Sequence, residues 1–324
     1  MLRGAGLTPG QRVLDVACGT GAVTLAASRS VGPRGSVVGA DLSASMVDAA
    51  RRAAAGAGIA DISWTRMGGE ALALPDAGFD AALRAFGLMY MPDPEAAQRE
   101  MRRVLRPGGR LALAVWGERA RCGWAALFGI VDQEVASEVC PLFFRLGQGD
   151  QLARACAAAG FEGIAQHRIV STLKHVDADQ ACEAALVGGP VALAWSRLDT
   201  TARARVRRRY LEALSPWQAG GAGGAGGGYR VPAEFLVLSA TAGQPCPVQA
   251  PAGACAPRSV GDRRRRPRWA CQRAGARRAA QPGLARPGKR RNAAGAPWQA
   301  QPEGPGRFAP PSRVAGSLWG PPHA

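Results

Sequence analysis

Two carboxylates stand where a carboxylate is costly. Asp15 interrupts the apolar run of VLDVACGTG (Val13–Gly21), and Asp41 closes SVVGAD (Ser36–Asp41), twenty residues after Gly21. A strand that enters a helix through glycines lets a ligand approach the backbone and meet the free N–H groups of the helix start. An acid ending the next strand can accept both hydroxyls of an adenosine ribose; standing alone, it could equally cap a helix. The small residues Ala17, Gly19 and Gly21 are spaced A-x-G-x-G, with Ala22 next. That spacing is not the G-x-G-x-x-G of a nicotinamide site, and no GK[ST] follows to make a P-loop. Asp15 would repel a pyrophosphate and suits a ligand carrying an ammonium or sulfonium.

These residues need strands to carry them. Arg12–Ala17, Ser36–Asp41, Asp61–Met67, Phe79–Phe86 and Arg110–Trp116 read as short apolar strands. Helical patterns lie between them, so a parallel sheet built from βαβ units follows. Thr20–Val31 is expected as a helix with Val23, Ala26, Ala27 and Ser30 on one face. Ser43 caps the next, which packs Met46, Val47, Ala50 and Ala54 and stops at Gly56 and Gly58. Asp93-Pro94 starts another, whose inner face is Ala97, Met101, Val104 and Leu105, and Pro107-Gly108-Gly109 ends it. Later, Asp150–Ala159, Asp177–Leu186 and Thr200–Leu214 read as helices and Ile164–Leu173 as a sixth strand. Tyr229–Ala240 reads as a last strand, with Pro232 near its start, where an edge tolerates proline. AGGAGGAGGG (Ala219–Gly228) reads as a flexible loop.

The formal charge of +17 is uneven: residues 243–324 hold 15 Lys and Arg against 2 Asp and Glu. This final quarter has 14 prolines, five Leu, Ile or Val, and no periodicity, so a disordered basic tail is expected from 243 to 324. DRRRRPRWACQR (Asp262–Arg273) and GKRRN (Gly288–Asn292) could attract phosphates, with Trp269 adding stacking. A charge run by itself is weak evidence, and nucleic acid is not the expected partner. No apolar run approaches the roughly 18–20 residues of a membrane span, and MLRGAGLTPGQR has no apolar signal core. A soluble, cytoplasmic protein is expected. Eight scattered cysteines without a CxxC pair predict reduced thiols and no metal.

VLDVACGTG, VVGADLS (Val37–Ser43), FDAALRAFGLMYMPDP (Phe79–Pro94) and RRVLRPGGRLALAVW (Arg102–Trp116) occur in this order. The set resembles the class I S-adenosylmethionine-dependent methyltransferases, in the type 11 group similar to ubiquinone and menaquinone C-methyltransferases. The resemblance runs roughly from Leu7 to Ala240. It implies a Rossmann-like three-layer α/β sandwich around a mostly parallel seven-stranded sheet with an antiparallel last strand. It also implies one catalytic domain over 1–242, with S-adenosyl-L-methionine as cofactor and a small-molecule methyl acceptor as partner.

Carried over residue by residue, Asp15 helps hold the methionine amino group through water or backbone. Ala17, Gly19 and Gly21 admit the methionine and ribose, and Asp41 takes the ribose hydroxyls. Leu42 and Met46 pack on adenine, although helical spacing makes Met46 an equal candidate for core. Ala85 and Phe86 line the sulfonium, and Leu88–Tyr90 face the substrate. The family often places an acid after the third strand to read the adenine amino group, and Gly68 stands there. Either Glu70 substitutes or the backbone at Gly69 and Glu70 does the reading. The family's N-terminal helical cover is short or missing, because the first strand begins about a dozen residues in. Substrate contacts are expected from Cys122–Leu146 and from 177–228. There Trp124, Phe128, Phe143, Phe144 and Trp195 either line an apolar pocket, favouring an aromatic or lipidic acceptor, or fill the core. No catalytic base is assigned. His167 and His175 are better read as structural.

Overall fold

A computed structural model describes residues 1–135, 143–219 and 228–244. The expected basic tail beyond Gln244, most of the glycine loop and part of Cys122–Leu146 lie outside the described residues.

Seven strands form one sheet: β1 (Arg12–Val16), β2 (Ser36–Asp41), β3 (Ile62–Arg66), β4 (Phe79–Ala85), β5 (Leu105–Trp116), β6 (Phe161–His175) and β7 (Tyr229–Ala242). Their order is β3-β2-β1-β4-β5-β7-β6. The first five pair in parallel, and β7 runs antiparallel to both β5 and β6. The helices are α1 (Leu2–Ala5), α2 (Ala22–Val31), α3 (Ala44–Gly56), α4 (Pro94–Val104), α5 (Ala126–Asp132), α6 (Gln151–Ala158), α7 (Ala178–Cys182), α8 (Ala192–Arg197) and α9 (Thr200–Leu214). The expected Rossmann-like α/β sandwich is therefore present.

β1 is buried from Val13 to Val16, and β4 from Ala81 to Arg84, because helices cover both faces. Val13, Ala27, Val31, Val37, Leu83 and Ala112 fill one core. Leu14, Val16, Met101, Val104, Leu111 and Leu113 belong to the larger one across the sheet. The chain winds from β1 to β2 and β3 on one side, then crosses to β4 and β5 on the other. That reversal opens a crevice at the carboxyl ends of β1 and β4, the place where open α/β sheets take ligands.

Several elements differ from the pattern read in the sequence. β7 is not an edge strand, since β6 lies outside it. Pro232 is tolerated because β5 ends with the Trp116–Phe235 pair, so only β6 flanks Pro232, at Thr172. α2 buries Thr24, Ala27 and Val31 rather than Val23, Ala26 and Ser30, because Thr24 turns in to meet Asp15. The expected helix Asp177–Leu186 is α7 followed by a wider π turn, Glu183–Val187. β5 already begins at Leu105, and the Pro107-Gly108-Gly109 turn appears as a register shift in its pairing with β4. β6 is longer at both ends than read. α3 and α4 start as expected: Ser43 Oγ accepts the Met46 amide proton and Asp93 Oδ1 that of Ala96.

Among the described residues no helix is long and apolar enough to cross a membrane. The thiols of Cys18, Cys122, Cys156 and Cys182 are free and buried.

Candidate cofactor cleft

After Val16 the backbone turns left-handed at Ala17 (φ 57°), Gly19 (φ 54°) and Gly21 (φ 87°). This curl lifts the loop over the ends of β1 and β2, where the Cys18 amide donates to the Ala40 carbonyl at 3.0 Å. Gly21 has a second reason to lack a side chain: a Cβ there would stand 2.9 Å from the Trp64 ring and 3.2 Å from Ala50. Gly21→Ala is therefore expected to cost about 1–3 kcal/mol in urea unfolding, from steric overlap and the left-handed backbone together. Ala17 and Phe86 (φ 57°) are non-glycine residues in the same strained region, on the loops after β1 and β4. Those loops touch, because a side chain at Gly87 would overlap the Ala17 methyl. Such strain persists where the surrounding structure demands it, commonly at ligand sites.

Asp41 ties the cleft together. Its Oδ2 accepts from the Gly19 amide at 2.9 Å and its Oδ1 from the Ser43 amide at 2.9 Å. Each carboxylate oxygen keeps a further lone pair for a hydroxyl. Beside it, Leu42 is 67% and Met46 43% exposed, two large apolar side chains in solvent at the same helix entry. Met46 thus leaves the core face expected of it and stands where a flat apolar ligand could cover it.

Asp15 is 1% exposed, and the Thr24 hydroxyl donates to its Oδ2 at 2.6 Å. Burial pushes its carboxyl up to about 7, against the Thr24 hydrogen bond and the Arg84 charge, which favour ionisation. The acid therefore sits beneath the loop. Arg84 was not singled out by sequence reasoning. Its signal was the same as that of Asp15, a charge inside the apolar run AALRAF.

The loop after β3 bears on one alternative. Glu70 Oε1 accepts the Asp93 amide proton at 2.6 Å, so its carboxylate is committed to the start of α4. Gly69 is buried, and a side chain there would strike Arg84, Met91 and Val16. This geometry favours backbone contact over carboxylate substitution.

On the β5 side the cleft is aromatic. Ala85 pairs with Ala114, and the Phe86 amide donates to the Ala114 carbonyl at 2.8 Å. The Phe86 ring lies 5.1 Å from Trp116 and 5.5 Å from Phe235. Trp116 continues to Trp124 at 4.8 Å, and Tyr90 meets Phe143 at 5.3 Å. Trp124, Phe128, Phe143 and Phe144 are buried and back this wall, whereas Phe86, Trp116, Phe235 and Tyr90 keep exposed surface. Trp116 and Phe235 were missed as site candidates, because only the pairing of β5 with β7 joins them. Trp195 lies elsewhere, under the Arg203 guanidinium. His167 is exposed and His175 buried on β6, which β4, β5 and β7 separate from β1.

A doubly wound sheet with a glycine loop, a strand-end acid and an apolar flank has the architecture of a nucleotide-binding domain. Residues 2–120 match the model of the ubiE/COQ5 methyltransferase family. The resemblance read from the four motifs is thus shown for that segment. Over 108 residues the chain is 48% identical to the ubiquinone/menaquinone biosynthesis C-methyltransferase UbiE of Hahella chejuensis, covering 33% of this chain and 43% of that protein. The UbiE of Shewanella frigidimarina is 45% identical over the same coverage. The chain thus spans less than half the length of the curated relatives it matches. Among solved structures, the BH2331 protein of Bacillus halodurans aligns with a TM-score of 0.53 at 20% identity, covering 75% of this chain and 97% of that one. YcgJ of Bacillus subtilis aligns at 0.50 and 17% identity, covering 76% and 97%. These two carry the fold alone.

Proposed function

We propose that the chain binds S-adenosylmethionine over the carboxyl ends of β1, β2 and β4 and methylates a small molecule of aromatic or lipidic character. The observation that carries this reading is the Asp41 carboxylate, held by two backbone amides with lone pairs to spare, beside solvent-exposed Leu42 and Met46. The residues fit the cofactor: a paired acceptor for ribose hydroxyls, apolar surface for adenine, and an acid under the loop for the ammonium.

When bound, the cofactor supplies a methyl activated on a sulfonium. The chain's own residues bind, orient and exclude water. Asp41 accepts the hydroxyls, Ala17, Gly19 and Gly21 admit the backbone-hugging part, and Leu42 and Met46 cover the base. Ala85 and the aromatic wall from Phe86 to Phe235 keep the reacting end dry. Aligning two reactants in a near-attack geometry is worth up to roughly 7–11 kcal/mol in model systems. No protein base is assigned, and a nucleophile that ionises by itself needs none.

The test is calorimetry with S-adenosylmethionine, followed by a labelled-methyl screen of quinols, phenols and amine metabolites. Micromolar binding and turnover on an aromatic class are expected, with turnover reduced about tenfold or more in Trp116→Ala at unchanged cofactor affinity. Binding without turnover would favour a non-catalytic cofactor-binding domain, and no binding by a folded chain would end the reading.

A further inference from the structure

A cavity of about 410 Å3 lies where the start of β7 and the middle of β6 meet the turns that follow β5. Arg121, Gly123, Val170, Trp217, Pro232 and Glu234 line it, and it shares no residue with the cofactor cleft. Its volume suits a small molecule. Val170 pairs with Glu234 across β6 and β7, and Pro232, two residues earlier, shares their face. Phe235 points to the other face, towards Phe86 and Trp116, so a ligand here lies across β7 from the aromatic wall. Two glycines make the room. A Cβ at Gly117 would stand 2.7 Å from Glu234 Cγ, and one at Gly123 would stand 2.8 Å from the Trp217 ring and 3.1 Å from Pro232. Val170 and the Arg121 side chain are exposed, so the cavity is reachable from solvent.

Glu234 is 1% exposed. Its Oε1 is committed, accepting from Arg168 Nη1 at 2.8 Å and from the Glu118 amide at 3.1 Å. Its Oε2 accepts no hydrogen bond among the described residues and has only an ion pair, with Arg121 Nε at 3.5 Å. A carboxylate oxygen so enclosed, with lone pairs to spare, is costly unless a donor reaches it. The same Arg121 Nε lies 3.7 Å from Glu118 Oε2. Arg168 is fixed in place: Nη2 donates to the carbonyls of Gly147 at 3.0 Å and Gly149 at 2.9 Å, and stands 3.5 Å from Glu118 Oε1. The Arg121 guanidinium makes no hydrogen bond among the described residues, and its side chain is 60% exposed. Such a loosely paired, solvated ion adds little stability and leaves its place at little cost. Without it, Glu118, Glu234 and Arg168 carry a net negative charge.

We propose that this cavity is a second binding site, for a small organic amine carried as its ammonium. The ammonium takes the place of the Arg121 guanidinium and donates to Glu234 Oε2 and Glu118 Oε2. The apolar body of the amine lies against Trp217, Pro232 and Val170, where an indole also favours a nearby cation. Arg121 is the site's own cover, a cation that the ligand displaces. The site stands independently of the cofactor reading.

The test titrates phenethylamine into the full chain by ligand-observed NMR, with phenethyl alcohol and phenylacetate as neutral and anionic controls. The amine should bind with a Kd of about a millimolar or below, and both controls at least about tenfold more weakly. Glu234→Gln should weaken the amine about tenfold or more, the loss of a charge-assisted hydrogen bond. Arg121→Ala should tighten it about threefold or more, because the competing cation is gone. A purely structural Arg121 would give no such gain. No amine binding at about 10 mM, or a control that binds as well as the amine, overturns the proposal. So does unchanged amine affinity in a folded Glu234→Gln. Should Glu234→Gln fail to fold, because Arg168 loses its partner, Arg121→Ala decides. Tighter amine binding in that variant supports the site, and unchanged or weaker binding overturns it.

Discussion

Asp41→Ala is expected to weaken S-adenosylhomocysteine binding at least a hundredfold in a chain that stays folded. The carboxylate would offer two charge-assisted hydrogen bonds to the ribose, each worth about 1.5–3 kcal/mol. A loss of about 3–5 kcal/mol corresponds to two orders of magnitude or more in Kd. The same substitution unties the cleft, since the Gly19 and Ser43 amides lose their acceptor. Both amides lie at partly accessible positions, so water can replace the carboxylate and the stability cost should stay near about 1–2 kcal/mol. Asp41→Asn, which keeps one acceptor oxygen, should fall between. Calorimetry paired with a thermal melt checks both parts, and unaltered affinity in folded Asp41→Ala would remove the basis of the proposed site.

The second large effect concerns stability and carries the opposite sign. Asp15→Asn should make the unliganded protein more stable above pH 7 while weakening cofactor binding. Burial lifts the Asp15 carboxyl from 3.8 to about 7 in the fold. A carboxyl with a raised folded value favours the folded state while protonated. That contribution is complete below the unfolded value near pH 4 and is lost as pH rises through about 7. At pH 8 the wild type therefore carries the cost of a buried anion, on the order of 2–4 kcal/mol, which the amide avoids. The Thr24 hydroxyl, 2.6 Å from the carboxylate, can still donate to the amide oxygen. Urea unfolding at pH 4 and pH 8 gives the readout: the gain should appear at pH 8 and shrink towards zero at pH 4. Equal destabilisation at both values would mean that Asp15 is simply part of the packing. A charge kept in the core against the fold's own stability is what the proposed ammonium-facing role of Asp15 would require.

Much of the cleft was legible because local chemistry wrote it. Gly19 and Gly21 announced left-handed backbone, Asp41 announced the end of a strand, and Ser43 and Asp93 announced helix starts. Each of these is decided by a residue and its immediate neighbours, so spacing along the chain was enough. The alternation of apolar strands and helices likewise determined a parallel sheet, since buried strands covered on both faces have no other composition available.

Tertiary structure decided what depends on partners distant in sequence. The position of β7 inside the sheet, the joining of Phe86, Trp116 and Phe235 into one wall, and the turn of Glu70 towards Asp93 all rest on pairings across the fold. The burial of Arg84 does too: an arginine within AALRAF reads the same whether its tip reaches water or is sealed under Gly69. Periodicity gives the face a side chain points to, but only packing settles whether a charge on that face is solvated. The register sets the two buried charges apart: Asp15 points to the face that meets Thr24, and Arg84 to the face of Leu14 and Val16.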